Sequence, residues 1–149
     1  MGRLDFFLIA GNYTLLNHTA LDSLLPLCER KGMSVTVGAP FASGLLVRGP
    51  NEQGSTYMYQ QAEDEINERA GQLQSICARH SVPLGAAALQ FCLANPLVCS
   101  VIPGAQSAEE AAQNKELVDT AVPAAVWREM REAGLIRADA PTPDASASL

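Results

Sequence analysis

The sequence predicts an α/β fold in which strands and helices alternate along the chain. Three short runs of apolar and β-branched residues, at Asp5–Ala10, Met33–Val37 and Val98–Ile102, have the length of buried strands. A segment with the helical spacing of apolar residues follows each run. Such alternation produces a parallel sheet with right-handed crossovers. With 149 residues, the chain is long enough to bury the core of one such domain.

The first strand and helix form a βα unit of ordinary size. Asp5–Ala10 carries two Phe and predicts a strand that is buried on both faces. Thr19, with Asp22 three residues later, predicts the start of a helix, and Gly32 predicts its end. Val35, Thr36 and Val37 are β-branched in the strand that follows.

The middle of the sequence combines a long loop with two helices. Residues 38–61 are rich in Gly and Pro and show no periodicity. Because Phe41, Tyr57 and Tyr59 are aromatic, we favour a lid over a disordered segment. Apolar residues at helical spacing predict one helix over Glu63–His80. Pro83 opens a second helix, which ends at Asn95-Pro96.

The last third of the sequence predicts a strand, a tight turn and two helices. After the buried strand Val98–Ile102, Pro103-Gly104 form the turn, and Ser107 with Glu110 fits a capping box that opens a helix. A final helix from Pro123 to Gly134 buries Val126, Trp127 and Met130. We therefore predict a folded domain over residues 1–137 and a disordered tail over residues 138–149, which are rich in Ala, Pro, Asp and Ser.

Composition and charge exclude several classes of function. The net charge is −6 and no basic stripe exists, which argues against a nucleic-acid partner. No apolar run reaches the length of a membrane span, and the N-terminus lacks the features of a signal peptide. We therefore expect a cytoplasmic protein whose four cysteines are buried, reduced thiols. His18 and His80 are far apart in sequence, so we expect surface histidines and no metal site.

The strand that leads through Gly104 into the helix at Ser107 is a candidate anion site. The first N–H groups of a helix lack intrahelical partners and carry partial positive charge, which suits a phosphate. The alternative is structural, because Ser107 caps the helix in any case and Gly104 permits the turn. The residues by themselves leave both interpretations open.

The sequence of this segment, IPGAQSAEEAAQN, resembles that of the last barrel strand and cofactor loop of the aldo/keto reductases. The segments DFFLIAGNYTLL, GMSVTVGAPFASGLL and PLGAAALQF match the family in the same order, and the likeness covers nearly all of residues 4–143. It is greatest to the fucose, threo-aldose and pyridoxal dehydrogenases. The resemblance implies a partial (β/α)8 TIM barrel that matches strands six to eight, with both lateral edges of the sheet unpaired.

The resemblance also implies a nicotinamide-cofactor site formed by two loops. In the family, the first loop wraps the cofactor pyrophosphate, and its positions are matched by Ser43, Gly44 and Leu45. The second loop holds the adenosine half of the cofactor. Its matching positions are Gly104, Ala105, Gln106, Ser107, Glu110, Gln113 and Asn114.

Two departures from the family bear on the cofactor. Many members place an Arg at the position of Glu110 or Gln106, where it binds the 2′-phosphate of NADP. A carboxylate repels that phosphate but accepts a hydrogen bond from a ribose 2′-hydroxyl, so we favour NAD over NADP. The alternative is that Glu110 only caps its helix. In addition, Gly38 replaces the Tyr that stacks on the nicotinamide, and Ala10 replaces a Gln.

The resemblance assigns no catalytic residue to this sequence. The Asp, Tyr, Lys and His of the family follow the first four barrel strands, which nothing here matches. The complete enzyme is expected to transfer a hydride between NAD or NADP and a small carbonyl or sugar substrate, while this chain by itself is predicted to be inactive. A second hypothesis is a non-enzymatic half-barrel that associates with itself or with a complementary N-terminal half through its open edges.

Overall fold

A computed structural model of the chain describes residues 4–50, 56–57, 60–61 and 64–143. Its centre is a three-stranded parallel sheet in the order β1-β2-β5, built from β1 (Phe6–Ala10), β2 (Ser34–Gly38) and β5 (Val98–Ile102). Phe6 pairs with Ser34, and Gly38 pairs with both Ala10 and Ile102. The predicted parallel α/β sheet is therefore confirmed.

Helices connect and follow these strands, and a short hairpin lies between them. The hairpin pairs β3 (Thr56–Tyr57) with β4 (Gln60–Gln61) in the antiparallel sense. The described helices are α1 (Leu24–Lys31), α2 (Leu45–Arg48), α3 (Asp64–Arg79), α4 (Leu84–Leu93), α5 (Ala108–Asp119) and α6 (Ala124–Glu132).

The first helix begins later than predicted. Thr19–Leu21 forms a separate 3₁₀ turn, and α1 starts at Leu24. Pro26 explains the difference, because a continuous helix from Thr19 would place this residue in its interior, where it lacks an N–H. Pro26 instead lies in the first turn of α1. The predicted end at Gly32 is confirmed, since Gly32 adopts a left-handed conformation with φ 63°.

The loop predicted over residues 38–61 contains a helical turn that periodicity did not reveal. Leu45–Arg48 forms α2, and the side chains of Leu45 and Leu46 are buried. The hairpin also falls within this range. The proposed lid depends on residues that include Tyr59, which lies outside the described part of the chain.

Helix α4 is the centre of the core. Every residue from Leu84 to Cys92 is buried, and a helix that is apolar all round packs against neighbours on each side. Ala86, Ala87 and Ala88 are fully buried and allow those neighbours to approach closely. The predicted start after Pro83 and end before Pro96 are confirmed.

The outer strands of the sheet are not buried as predicted. Phe6 is 62 % exposed and Leu8 is 52 % exposed on β1, and Ile102 is 50 % exposed on β5. Within the described residues, each outer strand has a neighbour on one side only, and nothing covers the face that carries Phe6 and Leu8. Cys99, on β5, is likewise exposed rather than buried.

The segment after α6 packs against the domain. The backbone oxygen of Ala140 accepts a hydrogen bond from Arg131 Nη2 at 2.9 Å, and Thr142 Oγ1 accepts one at 2.8 Å. Ala140 itself is buried. The expectation of a disordered tail from residue 138 is therefore wrong for residues 138–143, because Arg131 and the burial of Ala140 fix them. Residues 144–149 lie outside the described part.

Candidate functional site

Two loops leave the same edge of the sheet side by side. Gly38 ends β2 and Ile102 ends β5, and these two residues are register partners. Because parallel strands end at a common edge, the loop that follows Gly38 and the loop that follows Ile102 start next to each other. The segments that the sequence singled out are thus brought together by strand pairing.

The first loop is a tight turn with left-handed backbone. Ala42, Ser43 and Gly44 have φ values of 49°, 60° and 96°. The N–H of Gly44 donates to Phe41 O at 3.0 Å, and the N–H of Leu45 donates to Ala42 O at 3.3 Å. Leu45 is also fully buried. These two N–H groups therefore donate to acceptors within the turn itself.

A cation that the motif did not include lies on this turn. The guanidinium of Arg48 covers Gly44, where a Cβ would lie 2.9 Å from Nε and 3.0 Å from Cζ. Its Nη2 also makes a long hydrogen bond of 3.4 Å to Ser43 O. The sequence did offer a signal, since Arg48 stands one helical turn after Gly44.

The second loop leads into a capped helix. Ser107 Oγ accepts a hydrogen bond from the N–H of Glu110 at 3.1 Å, as the capping box predicts. The Glu110 carboxylate accepts from the N–H of Gln106 at 2.7 Å, instead of the N–H of Ser107. Gly104 and Ala105 are exposed. The loop thus uses its own carboxylate to satisfy one of its N–H groups.

A second carboxylate stands at the same helix end. The backbone N–H of Glu109 and the Ser107 hydroxyl hold the pKa of the Glu109 carboxyl below its usual value. Glu109 and Glu110 therefore place negative charge beside the exposed turn at Gly104.

A cavity of about 320 Å³ lies where the helices after both loops meet α4. Val47 comes from α2, and Gln113 and Leu117 come from α5. A Cβ added to Gly85 of α4 would lie 3.0 Å from Leu117 Cδ1 and 3.5 Å from Val47 Cγ2. The remaining lining residues are Gln74, Ala78, Val82, Pro83 and Leu84. The walls are mainly apolar and carry two amides.

The cavity includes one of the ten predicted site residues, Gln113, and adds residues that were not predicted. Gln113 lines it, whereas Asn114 is half-buried on α5 and is not among its lining residues. Val47, Gln74 and Leu117 were missed. Leu117 could have been found, because it follows Gln113 by four residues and so lies on the same helix face. Gln74 is distant in sequence, and nothing in its local pattern indicates this position.

His18 and Tyr13 are buried groups outside this cavity. The His18 ring lies 5.2 Å from the Phe91 ring, and only 7 % of the residue is exposed. Burial, with the charges of Arg69 and Arg137, lowers the pKa of His18 to about 4. Burial raises the pKa of Tyr13 to about 12, although its hydroxyl contacts Asn95. The expectation of a surface histidine at position 18 is wrong.

In the described ranges, no group of three His, Cys, Asp or Glu side chains could hold a metal ion. None of the helices there combines the length and the apolarity of a membrane crossing.

The fold and the paired loops define an α/β domain with a candidate site at the carboxyl edge of its sheet. Residues 1–134 match the model of the aldo/keto reductase family. The chain is 39 % identical over 140 residues to the D-threo-aldose 1-dehydrogenase of a Pseudomonas species, covering 94 % of this chain and 41 % of that protein. It is 36 % identical over 133 residues to the pyridoxal 4-dehydrogenase of Microbacterium luteolum, covering 89 % and 39 %.

Solved structures agree with this match. An aldo-keto reductase from Bacillus halodurans in its holo form aligns with a TM-score of 0.61 and 30 % identity, covering 88 % of this chain and 43 % of that one. An aldo/keto reductase from Klebsiella pneumoniae, in complex with NADP and acetate, has the same fold, with a TM-score of 0.58, 17 % identity and coverage of 92 % and 42 %.

The chain belongs to the aldo/keto reductase family, a family of oxidoreductases. Its strands and helices form part of a (β/α)8 barrel, as the resemblance implied. The chain spans about two fifths of the length of the relatives it matches, at 41 % and 39 %.

Proposed function

We propose that this chain is the cofactor-binding part of a nicotinamide-dependent oxidoreductase that acts on small carbonyl or sugar substrates. The observation that supports it most is the convergence of the two loops. Val47 follows the first loop, and Gln113 and Leu117 follow the second, yet all three line one cavity. A site formed where the helices after two neighbouring strand-end loops meet suits a ligand with two linked halves.

The lining of the cavity fits the adenine half of such a cofactor. Val47, Val82 and Leu117 offer apolar surface for a flat ring, while Gln74 and Gln113 offer amides for its ring nitrogens. In this proposal the turn at Ser43 and Gly44 would bind the pyrophosphate, and the loop from Gly104 to Ser107 would bind the ribose. When bound, the nicotinamide supplies or accepts the hydride. The residues of this chain bind and orient it.

NAD is the cofactor that the charges favour. Glu109 and Glu110 stand at the exposed start of α5, where a 2′-phosphate would meet two carboxylates. The Gln106 N–H already donates to Glu110, so this donor is not open to a phosphate. A ribose 2′-hydroxyl is neutral and can donate a hydrogen bond to a carboxylate.

Proton transfer to the substrate is not assigned to this chain. Burial raises the pKa of Tyr13 to about 12, whereas a tyrosine that works as an acid or base needs its pKa moved toward the working pH. His18 is buried in an apolar contact with Phe91. We therefore propose that the catalytic groups belong to the part of the barrel that the relatives have and this chain does not match.

A cytoplasmic location belongs to the same proposal, because the buried thiols of Cys28, Cys77 and Cys92 stay reduced there. The second hypothesis, a non-enzymatic half-barrel, gains no support from the comparisons. Self-association through the sheet edges is supported only by the exposure of Phe6, Leu8 and Ile102.

The binding proposal is tested by titrating the chain with NADH in a calorimeter. We expect saturable binding that Gly85→Val weakens by about tenfold or more, because the added side chain would occupy space between Leu117 and Val47 in the cavity. Gly71→Val is the matched control, because a Cβ there makes an ordinary 3.7 Å contact with Pro50 Cγ. Gln113 is exposed on α5, so Gln113→Ala tests the same cavity without disturbing the core. No NADH binding by the unchanged chain would contradict the proposal.

The cofactor preference is tested by comparing NADH with NADPH. We expect NADH to bind at least about tenfold more tightly, since like charges in contact cost on the order of 1 kcal/mol or more. The double variant Glu109→Gln, Glu110→Gln should narrow that ratio. The ratio should also shrink when salt is added, because the repulsion is exposed to solvent. Tighter binding of NADPH by the unchanged chain would show that NAD preference is wrong.

A further inference from the structure

We propose that Arg48 is the cation that binds the pyrophosphate of the dinucleotide and thereby connects the two loops of the site. The inference rests on the proposed function and adds to it a residue that the sequence motifs did not contain. Three features of the structure support it: where the guanidinium lies, which donors it has left, and what stands next to it.

The guanidinium of Arg48 is seated on the turn. It lies over Gly44, where a Cβ would come within 3.0 Å of Cζ, and its Nη2 contacts Ser43 O at 3.4 Å. The left-handed φ of 96° at Gly44 already favours glycine. The absence of a side chain at position 44 therefore also makes room for the cation at the surface of the turn.

Most of the donors of Arg48 have no partner within the ranges that the structure describes. Arg carries five N–H donors in a planar fork, and the described part of the chain gives Arg48 one long hydrogen bond and no carboxylate partner. Two other arginines pair with carboxylates: Arg79 with Glu129, and Arg137 with Asp22 and Asp139. Arg48 differs by its position: its guanidinium has no carboxylate partner among the described residues and lies on a strand-end turn, which favours an anionic ligand.

The neighbour of Arg48 connects this turn with the cavity. Val47 lines the cavity together with Gln113 and Leu117. A dinucleotide whose adenine occupies the cavity therefore has its phosphates close to the turn on which Arg48 lies. Phosphate oxygens are suited to the planar guanidinium fork, because they can accept two parallel hydrogen bonds.

The test compares Arg48→Gln with Arg128→Gln, which removes the same charge from an exposed position on α6. Each chain is titrated calorimetrically with NADH and with adenosine, which has no phosphate. We expect Arg48→Gln to weaken NADH binding by about tenfold or more, the size of a lost charge-assisted hydrogen bond, and to leave adenosine unchanged. Arg128→Gln should stay within about twofold for both. Arg48→Lys should restore part of the affinity, since it keeps the charge without the fork.

A second route leaves the charge in place. Gly44→Ala puts a Cβ against the guanidinium of Arg48 and should weaken NADH binding in the same direction. If Arg48→Gln and Arg128→Gln bind NADH equally, the role of Arg48 is overturned while the proposed function stands. If the unchanged chain binds adenosine but not NADH, the pyrophosphate contact is overturned. If it binds neither, the proposed function fails and this inference fails with it.

Discussion

Phe91→Ala should lower the free energy of unfolding by about 3–5 kcal/mol, the range for removing a buried Phe. Phe91 is fully buried in α4, and its ring lies 5.2 Å from the rings of both Tyr13 and His18. Truncation would leave a cavity between α4 and the loop after β1 and would end both ring contacts. Urea unfolding followed by the fluorescence of Trp127 measures the loss.

The matched control is the same change on the exposed strand. Phe6 is 62 % exposed on β1, so Phe6→Ala should change the unfolding free energy by about 0.5 kcal/mol or less. Equal losses for Phe91→Ala and Phe6→Ala would show that α4 is not the centre of the core.

Acid should destabilise the protein through His18. The pKa of His18 is lowered from 6.5 to about 4 by burial and by the charges of Arg69 and Arg137. The unfolded chain therefore binds a proton at higher pH than the folded chain does. The contribution to stability is complete above about pH 6.5, falls as the pH decreases, and is lost at about pH 4. The difference between the unfolded and folded pKa values of His18 corresponds to about 3 kcal/mol of unfolding free energy.

His18→Gln tests this prediction, because the amide does not titrate. Urea unfolding curves between about pH 7 and pH 5 should show a clear loss of stability in the unchanged chain and a smaller loss in the variant. The carboxyls of Glu129 and Asp139 have lowered pKa values, so they act at more acidic pH. His80→Gln is the control, and its unfolding free energy should depend on pH as that of the unchanged chain does. An unaltered slope in His18→Gln would contradict the assignment.

Local patterns predicted most elements of the fold. The apolar runs and the residues Gly32, Pro83 and Ser107 indicated where strands and helices begin or end, because capping and backbone freedom depend on neighbours in sequence. Burial was predicted less well. Periodicity shows which residues are apolar, but Phe6 and Leu8 are exposed because no described element covers that face of the sheet. The position of His18 against Phe91 likewise depends on residues far apart in sequence.

In the candidate site too, local features were predictable from the sequence and tertiary contacts were not. The Ser107 cap was predicted from a local motif, whereas Gly44 was identified only through the family resemblance. The cavity could not be predicted from the sequence, because Gln74 and Gly85 reach it from helices that are brought together by tertiary contacts. Arg48 is an intermediate case. Its spacing from Gly44 is visible in the sequence, but its contact with the turn depends on how the backbone folds.

The contacts of Tyr13 have a consequence for synthesis on the ribosome. Cys92 Sγ donates to Tyr13 O across 79 positions of sequence, and Asn95 Nδ2 contacts the Tyr13 hydroxyl across 82. Translation at about 5–20 residues per second would separate the two ends of this contact by roughly 4–16 s. During that interval the loop that carries Tyr13 emerges without α4, against which the Tyr13 ring packs in the folded domain. Chaperones therefore have a longer time to bind this loop than they would if its contacts lay close in sequence.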